Sequence, residues 1–131
     1  MRKKILLIDD EPDVVTYLKT FLGDHGYAVC DARDVEKGLV LASREKPDLI
    51  CLDIMMPERS GIFFYDALRK SDTLCAIPII VVSGLNEDAL QVMIESLEGT
   101  GRPAGSHQFV AKPVDLHQFL AAVRKALGEA S

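Results

Sequence analysis

The sequence lacks long apolar stretches, runs of basic residues and paired cysteines, and each absence excludes a class of protein. No stretch approaches the ~20 apolar residues that a bilayer-spanning helix needs. The apolar run that follows the basic N-terminus ends at Asp9, which is too early for a secretory signal. We therefore expect a soluble, cytoplasmic chain without a membrane partner.

Charge and cysteine spacing exclude further classes. The net charge is −5 and no basic run exceeds Arg2-Lys3-Lys4, so direct binding of nucleic acid is disfavoured. Cys30, Cys51 and Cys75 have neither Cys-X-X-Cys spacing nor the spacing of a metal site. We expect buried, reduced thiols rather than disulfides or a redox centre.

Short apolar runs alternate with amphipathic stretches along residues 1–131, which predicts a single α/β domain with a parallel sheet covered on both faces. Strands are predicted near 4–9, 27–31, 48–53, 77–83 and 107–111. Helices are predicted near 12–25, 34–46, 61–70, 86–98 and 115–128, with Asp34, Asn86 and Asp115 as N-caps. Residues 98–106 have the composition of an extended loop before the fifth strand.

Four predicted strands end in residues that bind metal ions or phosphate, namely Asp9-Asp10, Asp53, Ser83 and Lys112. In a parallel α/β sheet, ligands bind outside the carboxyl ends of the strands, so these residues are expected to converge. Asp9 and Asp10 would point to opposite faces within a strand. Both can reach one site because the strand ends there, and Glu11-Pro12 supplies the turn.

The convergence predicts magnesium-dependent phosphoryl chemistry. Clustered carboxylates raise one another's pKa unless a cation is present, and oxygen ligands without histidine or cysteine favour Mg²⁺ over zinc. Lys112 offers a positive charge to a phosphoryl oxygen, and Ser83 offers a hydroxyl donor. We expect Asp53 to accept the phosphoryl group because it stands alone at a strand end, whereas the Asp9-Asp10 pair is suited to holding metal.

Together these residues resemble the CheY-like receiver domain of two-component response regulators, and the likeness covers nearly the whole chain. It rests on four segments in the family's order: LLIDDE at 6–11, LDIMMP at 52–57 with Gly61, VVSG at 81–84 and FVAKP at 109–113. The resemblance implies a flavodoxin-like fold, with five helices around a five-stranded sheet in the order 2-1-3-4-5.

The resemblance also implies roles for individual residues in a signalling phosphoacceptor that is not an enzyme. Asp53 would take a phosphoryl group from a phosphohistidine of a sensor kinase or phosphotransfer domain, and would lose it slowly by self-dephosphorylation. Asp10, Asp53 and the Met55 carbonyl would bind Mg²⁺ directly, and Asp9 mostly through water. Ser83 and Lys112 would contact the phosphoryl group, and Lys112-Pro113 would be a cis peptide.

The implied output is a change in one surface. Ser83 and Phe109 would act as switch residues that alter the face formed by the fourth helix, the fifth strand and the fifth helix. That face would engage a downstream protein or a C-terminal output domain, or pair two phosphorylated copies.

Two departures from the family pattern carry further expectations. The spacing from Ser83 to Lys112 is longer than usual, with the excess in 98–104, so we expect a displaced or extended fourth helix and loop. Met55 and Leu85, two positions after Asp53 and Ser83, are apolar and cannot position attacking water. We therefore expect a long-lived phosphorylated state.

Three other classes use similar features. A haloacid-dehalogenase-like phosphatase needs a second aspartate where this chain has Met55, which cannot transfer protons. A flavin-binding module needs a hydroxyl- and glycine-rich loop where this chain has Glu11-Pro12-Asp13. A degenerate receiver, serving only as an interaction module, is disfavoured because the five strand-end residues are intact. The histidines are expected to be surface residues rather than relay sites: His25, His107 and His117.

Overall fold

The computed structural model describes residues 2–53, 61–84, 88, 92 and 107–129. Strands and helices alternate in the order β1 (Lys4–Ile8), α1 (Pro12–Asp24), β2 (Ala28–Ala32), α2 (Val35–Glu45), β3 (Leu49–Asp53), α3 (Gly61–Lys70), β4 (Ile79–Ser83), β5 (His107–Ala111) and a last helix, Leu116–Ala126. All five predicted strands and four of the predicted helices are confirmed to within two residues at each end. The predicted helix 86–98 lies outside the described residues except at positions 88 and 92, where the backbone is helical, and the predicted loop 98–106 lies outside them entirely.

The sheet is parallel throughout and has the order β2-β1-β3-β4-β5, as expected. β3 is therefore the central strand, paired with β1 on one side and with β4 on the other. Because every strand runs in the same direction, all five carboxyl ends meet at one edge. Asp53, the last residue of β3, lies in the middle of that edge.

Side chains of successive strand residues pack on opposite faces of the sheet. Ile5 and Leu7 pack with α1 and the last helix, where Leu18 and Phe119 are buried. Leu6 and its neighbours on the other face pack with α2 and α3. Burial of each large side chain contributes about 1.5–3 kcal/mol, so a strand covered on both faces is apolar along its whole length.

Helix ends follow the local sequence. Asp34 accepts a hydrogen bond from the Lys37 backbone N–H at 2.8 Å, and Asp115 accepts one from the Gln118 N–H at 3.1 Å. Both residues are therefore N-caps, as predicted, whereas Asn86 lies outside the described part of the chain. α1 begins at Pro12, which has no backbone N–H to leave unsatisfied in the first turn.

Gly38 allows α2 to pack closely against the sheet. A β-carbon at this position would lie 2.8 Å from Ile8 Cδ1 and 3.2 Å from Phe64 Cε2. Both neighbouring side chains are almost fully buried and have little space in which to move. The absence of a side chain at position 38 therefore sets the distance between α2 and β1.

Arg69 is a buried cation in the last turn of α3, with only 6% of its surface exposed. Its Nη1 donates to the carbonyls of Cys75 and Ile77, each at 2.8 Å, and its guanidinium carbon lies 4.9 Å from the centre of the Tyr65 ring. These contacts fix the segment that leads into β4.

The cysteines agree with the prediction only in part. All three are free thiols, and Cys51 in β3 is buried, where burial raises its pKa. Cys30 and Cys75 are only partly buried, which corrects the expectation that all three lie in the core. Cys30 is more exposed because β2 is an edge strand.

None of the described helices has the length and apolar character needed to span a membrane.

Candidate functional site

The predicted strand-end residues meet at the carboxyl edge of the sheet. Asp9 follows β1, Asp53 and Ser83 are the last residues of β3 and β4, and Lys112 follows β5. The pairing of Asp53 with Val82, and of Ser83 with Ala111, brings these strand ends to the same level. Four separate segments of the sequence therefore contribute to one small region.

Three carboxylates form the acidic part of the site. Asp9, Asp10 and Asp53 each offer one oxygen atom, and these atoms all lie within 4.8 Å of one another. Asp9 and Asp53 are 5% and 3% exposed, whereas Asp10 is partly exposed. The cluster is thus largely shielded from water but open on the Asp10 side.

Lys112 supplies the positive charge of the site. Its Nζ lies 3.1 Å from Asp9 Oδ2, 3.2 Å from Asp53 Oδ2 and 3.0 Å from Glu11 Oε1. Burial by itself lowers the pKa of Lys112, but hydrogen bonds to Glu11 and Asp9, with the charges of Asp9 and Asp53, outweigh it and raise the pKa above its usual value. Lys112 therefore stays charged at neutral pH.

Glu11, which the sequence places in a turn and at the end of the LLIDDE segment but to which no role was assigned in the site, is a member of this site. Its backbone N–H donates to Asp9 Oδ1 at 2.9 Å, so it holds the Asp9 side chain, and its carboxylate pairs with Lys112. No periodicity or motif in the sequence indicates the second contact. It depends on how the turn after β1 faces the end of β5.

Ser83 and Phe109 lie on the neighbouring strands β4 and β5. Ser83 is 1% exposed, and its backbone carbonyl accepts a hydrogen bond from the Lys112 N–H at 2.9 Å. Phe109 is partly buried and packs against the core on the side of α2 and α3. The Lys112–Pro113 peptide bond, expected to be cis from the resemblance, is cis in the structure.

Several predicted features lie outside the described residues. These are the Met55 carbonyl, Leu85 and the loop 98–106. Of the histidines, His25 and His117 are exposed, and His25 lies beyond the end of α1, at the opposite edge of the sheet from Asp53. Their positions agree with the expectation of surface residues.

The described residues fit a magnesium ion better than zinc. Three oxygen ligands are grouped without a histidine or cysteine among them, and one of the three is open to solvent. Mg²⁺ prefers such oxygen ligands, keeps several water molecules and shares its coordination sphere with phosphate. Asp9 and Asp53 also line a cavity of about 10 Å³ whose other walls are mostly core side chains such as Leu18.

A doubly wound parallel sheet with three carboxylates and a lysine at its carboxyl edge is the arrangement that the resemblance to receiver domains implies. The chain belongs to the response regulator receiver domain family, whose model matches residues 5–124. This confirms the resemblance drawn from the four sequence segments.

Individual relatives and solved structures agree with this assignment. The chain is 35% identical over 127 residues to the alkaline phosphatase synthesis transcriptional regulatory protein PhoP of Bacillus subtilis, covering 97% of this chain and 49% of that protein. It is 32% identical over 124 residues to PilH of Pseudomonas aeruginosa, covering 95% of this chain and 97% of PilH. The chain thus spans about half the length of PhoP and nearly all of PilH.

Among solved structures, a response regulator receiver protein from Pseudomonas putida superposes with a TM-score of 0.81 at 27% identity, over 95% of this chain and 98% of that one. The chemotaxis protein CheY4 of Vibrio cholerae superposes with a TM-score of 0.85 at 22% identity, over 97% and 100% of the two chains. The second likeness supports the fold.

Proposed function

We propose that Asp53 accepts a phosphoryl group from a partner's phosphohistidine and thereby switches the binding surface of the domain. The observation that carries this proposal is the position of Lys112, whose Nζ reaches Asp53 at 3.2 Å and Asp9 at 3.1 Å within one cluster of carboxylates. A buried carboxylate beside a lysine and two metal-binding carboxylates has the parts that phosphoryl transfer requires.

The transfer step needs positioning and charge neutralisation. A carboxylate oxygen of Asp53 forms a bond to phosphorus as the phosphorus–nitrogen bond of the phosphohistidine breaks, and the bonding electron pair returns to the imidazole. Lys112 and the Ser83 hydroxyl bind oxygens of the arriving group. A magnesium ion held by Asp9, Asp10 and Asp53, together with the Met55 carbonyl, would neutralise negative charge on that group.

The phosphorylated state switches the surface by a shift in population. Ser83 and Phe109 lie on neighbouring strands, and Phe109 pairs in register with Val81, two residues before Ser83. A change at Ser83 is therefore close enough to alter the packing of Phe109. We propose that this shift changes the face of the fourth helix, β5 and the last helix.

The partners follow from this scheme. A sensor histidine kinase or a histidine phosphotransfer domain supplies the phosphoryl group. The switched face binds a downstream protein or a C-terminal output domain, or pairs two phosphorylated copies. PhoP is named a transcriptional regulatory protein and is about twice as long as this chain. Its name and length support the presence of an output domain in such relatives.

Catalytic turnover as a phosphatase is less well supported. Such an enzyme needs a proton-transferring residue two positions after the acceptor, and that residue here is Met55. The aspartyl phosphate is therefore hydrolysed slowly: water attacks phosphorus, and the Asp53 carboxylate is released. An interaction module without phosphorylation would have no need for the buried ion pairs of Lys112.

The decisive experiment is the intact mass of the protein after incubation with acetyl phosphate, with and without Mg²⁺. We expect a magnesium-dependent gain of one phosphoryl group in the wild type and in Asp31→Asn, a matched control whose carboxylate pairs with Lys19 outside the site. Asp53→Asn should show no gain. An unchanged gain in Asp53→Asn would reject Asp53 as the acceptor. If the wild type shows no gain, the proposal stands only if beryllofluoride induces a conformational change in the protein.

Phosphate lifetime and the extended loop are tested separately. We propose a long-lived phosphorylated state, so Met55→Asn should lose its phosphoryl group faster than the wild type, and slower loss would contradict the proposal.

We also propose that 98–106 forms an extended loop beside the output face. Deleting the excess residues 98–104 should then weaken partner binding while phosphorylation of Asp53 remains intact.

A further inference from the structure

The outward side of α2 carries an acidic, an apolar and a basic residue in one line. Glu36, Val40 and Arg44 are spaced by four residues, so they follow one another along the same side of the helix. All three are exposed, and Val40 has 60% of its surface in contact with solvent. We call these three residues the α2 stripe.

A shallow groove runs beside the stripe. It has a volume of about 380 Å³ and is lined by the three stripe residues together with Asp31, Lys37 and Leu41. The contact of Arg44 Nε with Glu45 at 3.3 Å is exposed, and such surface pairs are exchanged at little cost. Val40 and Leu41 therefore offer apolar surface between charges of opposite sign.

The charge order along the stripe is complementary to itself. We propose that a second copy of this chain binds here, with the two α2 helices antiparallel and a two-fold axis passing beside Val40. Because Glu36 and Arg44 are equally distant from Val40, each Glu36 would face Arg44 of the second copy. A two-fold interface repeats every contact, so two ion pairs flank one Val40–Val40 contact.

The alternative orientation is unfavourable. In a parallel arrangement, Glu36 would face Glu36 of the second copy, and Arg44 would face Arg44. In the antiparallel arrangement, Lys37 faces the uncharged Ser43, so no directly opposed positions along the stripe carry like charges. The pattern of charge therefore selects one orientation of the two copies.

This pairing leaves the phosphoacceptor sites accessible. α2 starts at the carboxyl edge of the sheet, just after β2, so antiparallel helices place the two Asp53 edges at opposite ends of the dimer. The α2 contact is also separate from the face of β5 and the last helix. We therefore expect self-association that does not depend on phosphorylation.

The first measurement is sedimentation velocity of the wild type from about 10 µM to about 1 mM, the range of Kd expected for a small interface. We expect reversible dimers in the absence of beryllofluoride. Val40→Asp should abolish dimers within this range. Tyr17→Asp is the matched control, because Tyr17 is a 52% exposed side chain on α1 and should leave the Kd unchanged.

A charge exchange tests the orientation. Glu36→Arg and Arg44→Glu should each weaken dimers about tenfold, because each variant replaces two attractive pairs by two repulsive ones. The double variant should regain the wild-type Kd, and an equimolar mixture of the two single variants should form heterodimers. Circular dichroism checks that each variant is folded.

Three results would overturn the proposal. These are a wild type that stays monomeric throughout the range, dimers that persist in Val40→Asp, and single charge variants that do not associate when mixed. A monomeric wild type that binds an unrelated protein through this groove would reject the second copy as the occupant.

Discussion

Replacing Asp53 by asparagine should stabilise the metal-free protein, although Asp53 forms an ion pair. The attraction between Asp53 and Lys112 at 3.2 Å amounts to about 5 kcal/mol at an effective dielectric constant of about 20. Asp9 and Asp10 lie within 4.8 Å of Asp53, and each repels it by at least about 3.5 kcal/mol at the same dielectric constant. The repulsion, about 7 kcal/mol in total, therefore exceeds the attraction by about 2 kcal/mol.

Urea unfolding at neutral pH with a metal chelator tests this estimate. The midpoint of Asp53→Asn should lie roughly 1 M above that of the wild type, with an unchanged m-value. Asp31→Asn is the control, because it removes one exposed ion pair with Lys19 at 3.0 Å and should cost about 0–1 kcal/mol. Added Mg²⁺ should raise the midpoint of the wild type more than that of Asp53→Asn.

The same reasoning gives the opposite sign for Lys112. Lys112→Met leaves the carboxylates without their cation and should lower the free energy of unfolding by about 3 kcal/mol or more.

An Asp53→Asn midpoint at or below the wild-type value in the chelator would refute the charge balance described here. The site would then be held together by its ion pairs rather than strained by its excess of negative charge.

Three further predictions concern stability elsewhere in the domain. Gly38→Ala should lower stability by about 1 kcal/mol, because overpacking against Ile8 outweighs the gain in helix propensity, and a raised Tm would contradict this. Arg69→Met should cost about 2–4 kcal/mol by leaving two carbonyls without their donor, and hydrogen exchange should quicken before β4 rather than in α1. Burial is the main cause, and the hydrogen bond to Glu129 the second, of a pKa of Tyr27 that is raised above 10.0. The folded state therefore keeps this proton up to a higher pH than the unfolded chain does. Stability should therefore fall as pH rises above about 10, and Tyr27→Phe should reduce the fall in urea titrations if this assignment is correct.

The sequence predicted the sheet and most of the strand-end cluster for one physical reason. A parallel strand that is covered on both faces must be apolar throughout, so the first polar residue after it marks the carboxyl edge. Asp9 and Lys112 were recognised in this way, and the structure places them 3.1 Å apart. The rule depends on the burial of the strands, so it is clearest for β1, β3 and β4, whereas the edge strand β2 is only partly buried and contains Asp31.

Features that depend on the path of a loop could not be read from the sequence. The sequence position of Arg69, in the last turn of an amphipathic helix, is typical of a solvent-exposed basic side chain. In the structure, however, the carbonyls of Cys75 and Ile77 accept hydrogen bonds from Arg69. Glu11 likewise reads as a turn residue, and its contact with Lys112 joins positions that are 101 residues apart. Such contacts are set by the packing of distant segments and leave no local pattern.

The central position of β3 also determines which part of the domain can move. Every residue of β3 is buried, and strands on both sides hold its backbone, so its amides should be among the slowest to exchange with solvent. Asp53 is thus attached to a buried strand that is held on both sides, whereas Glu11 and Lys112 approach it from segments outside the strands. Asp53, the proposed acceptor, would then serve as a stationary reference point, and a signal generated there would be expressed as the displacement of its neighbours relative to it.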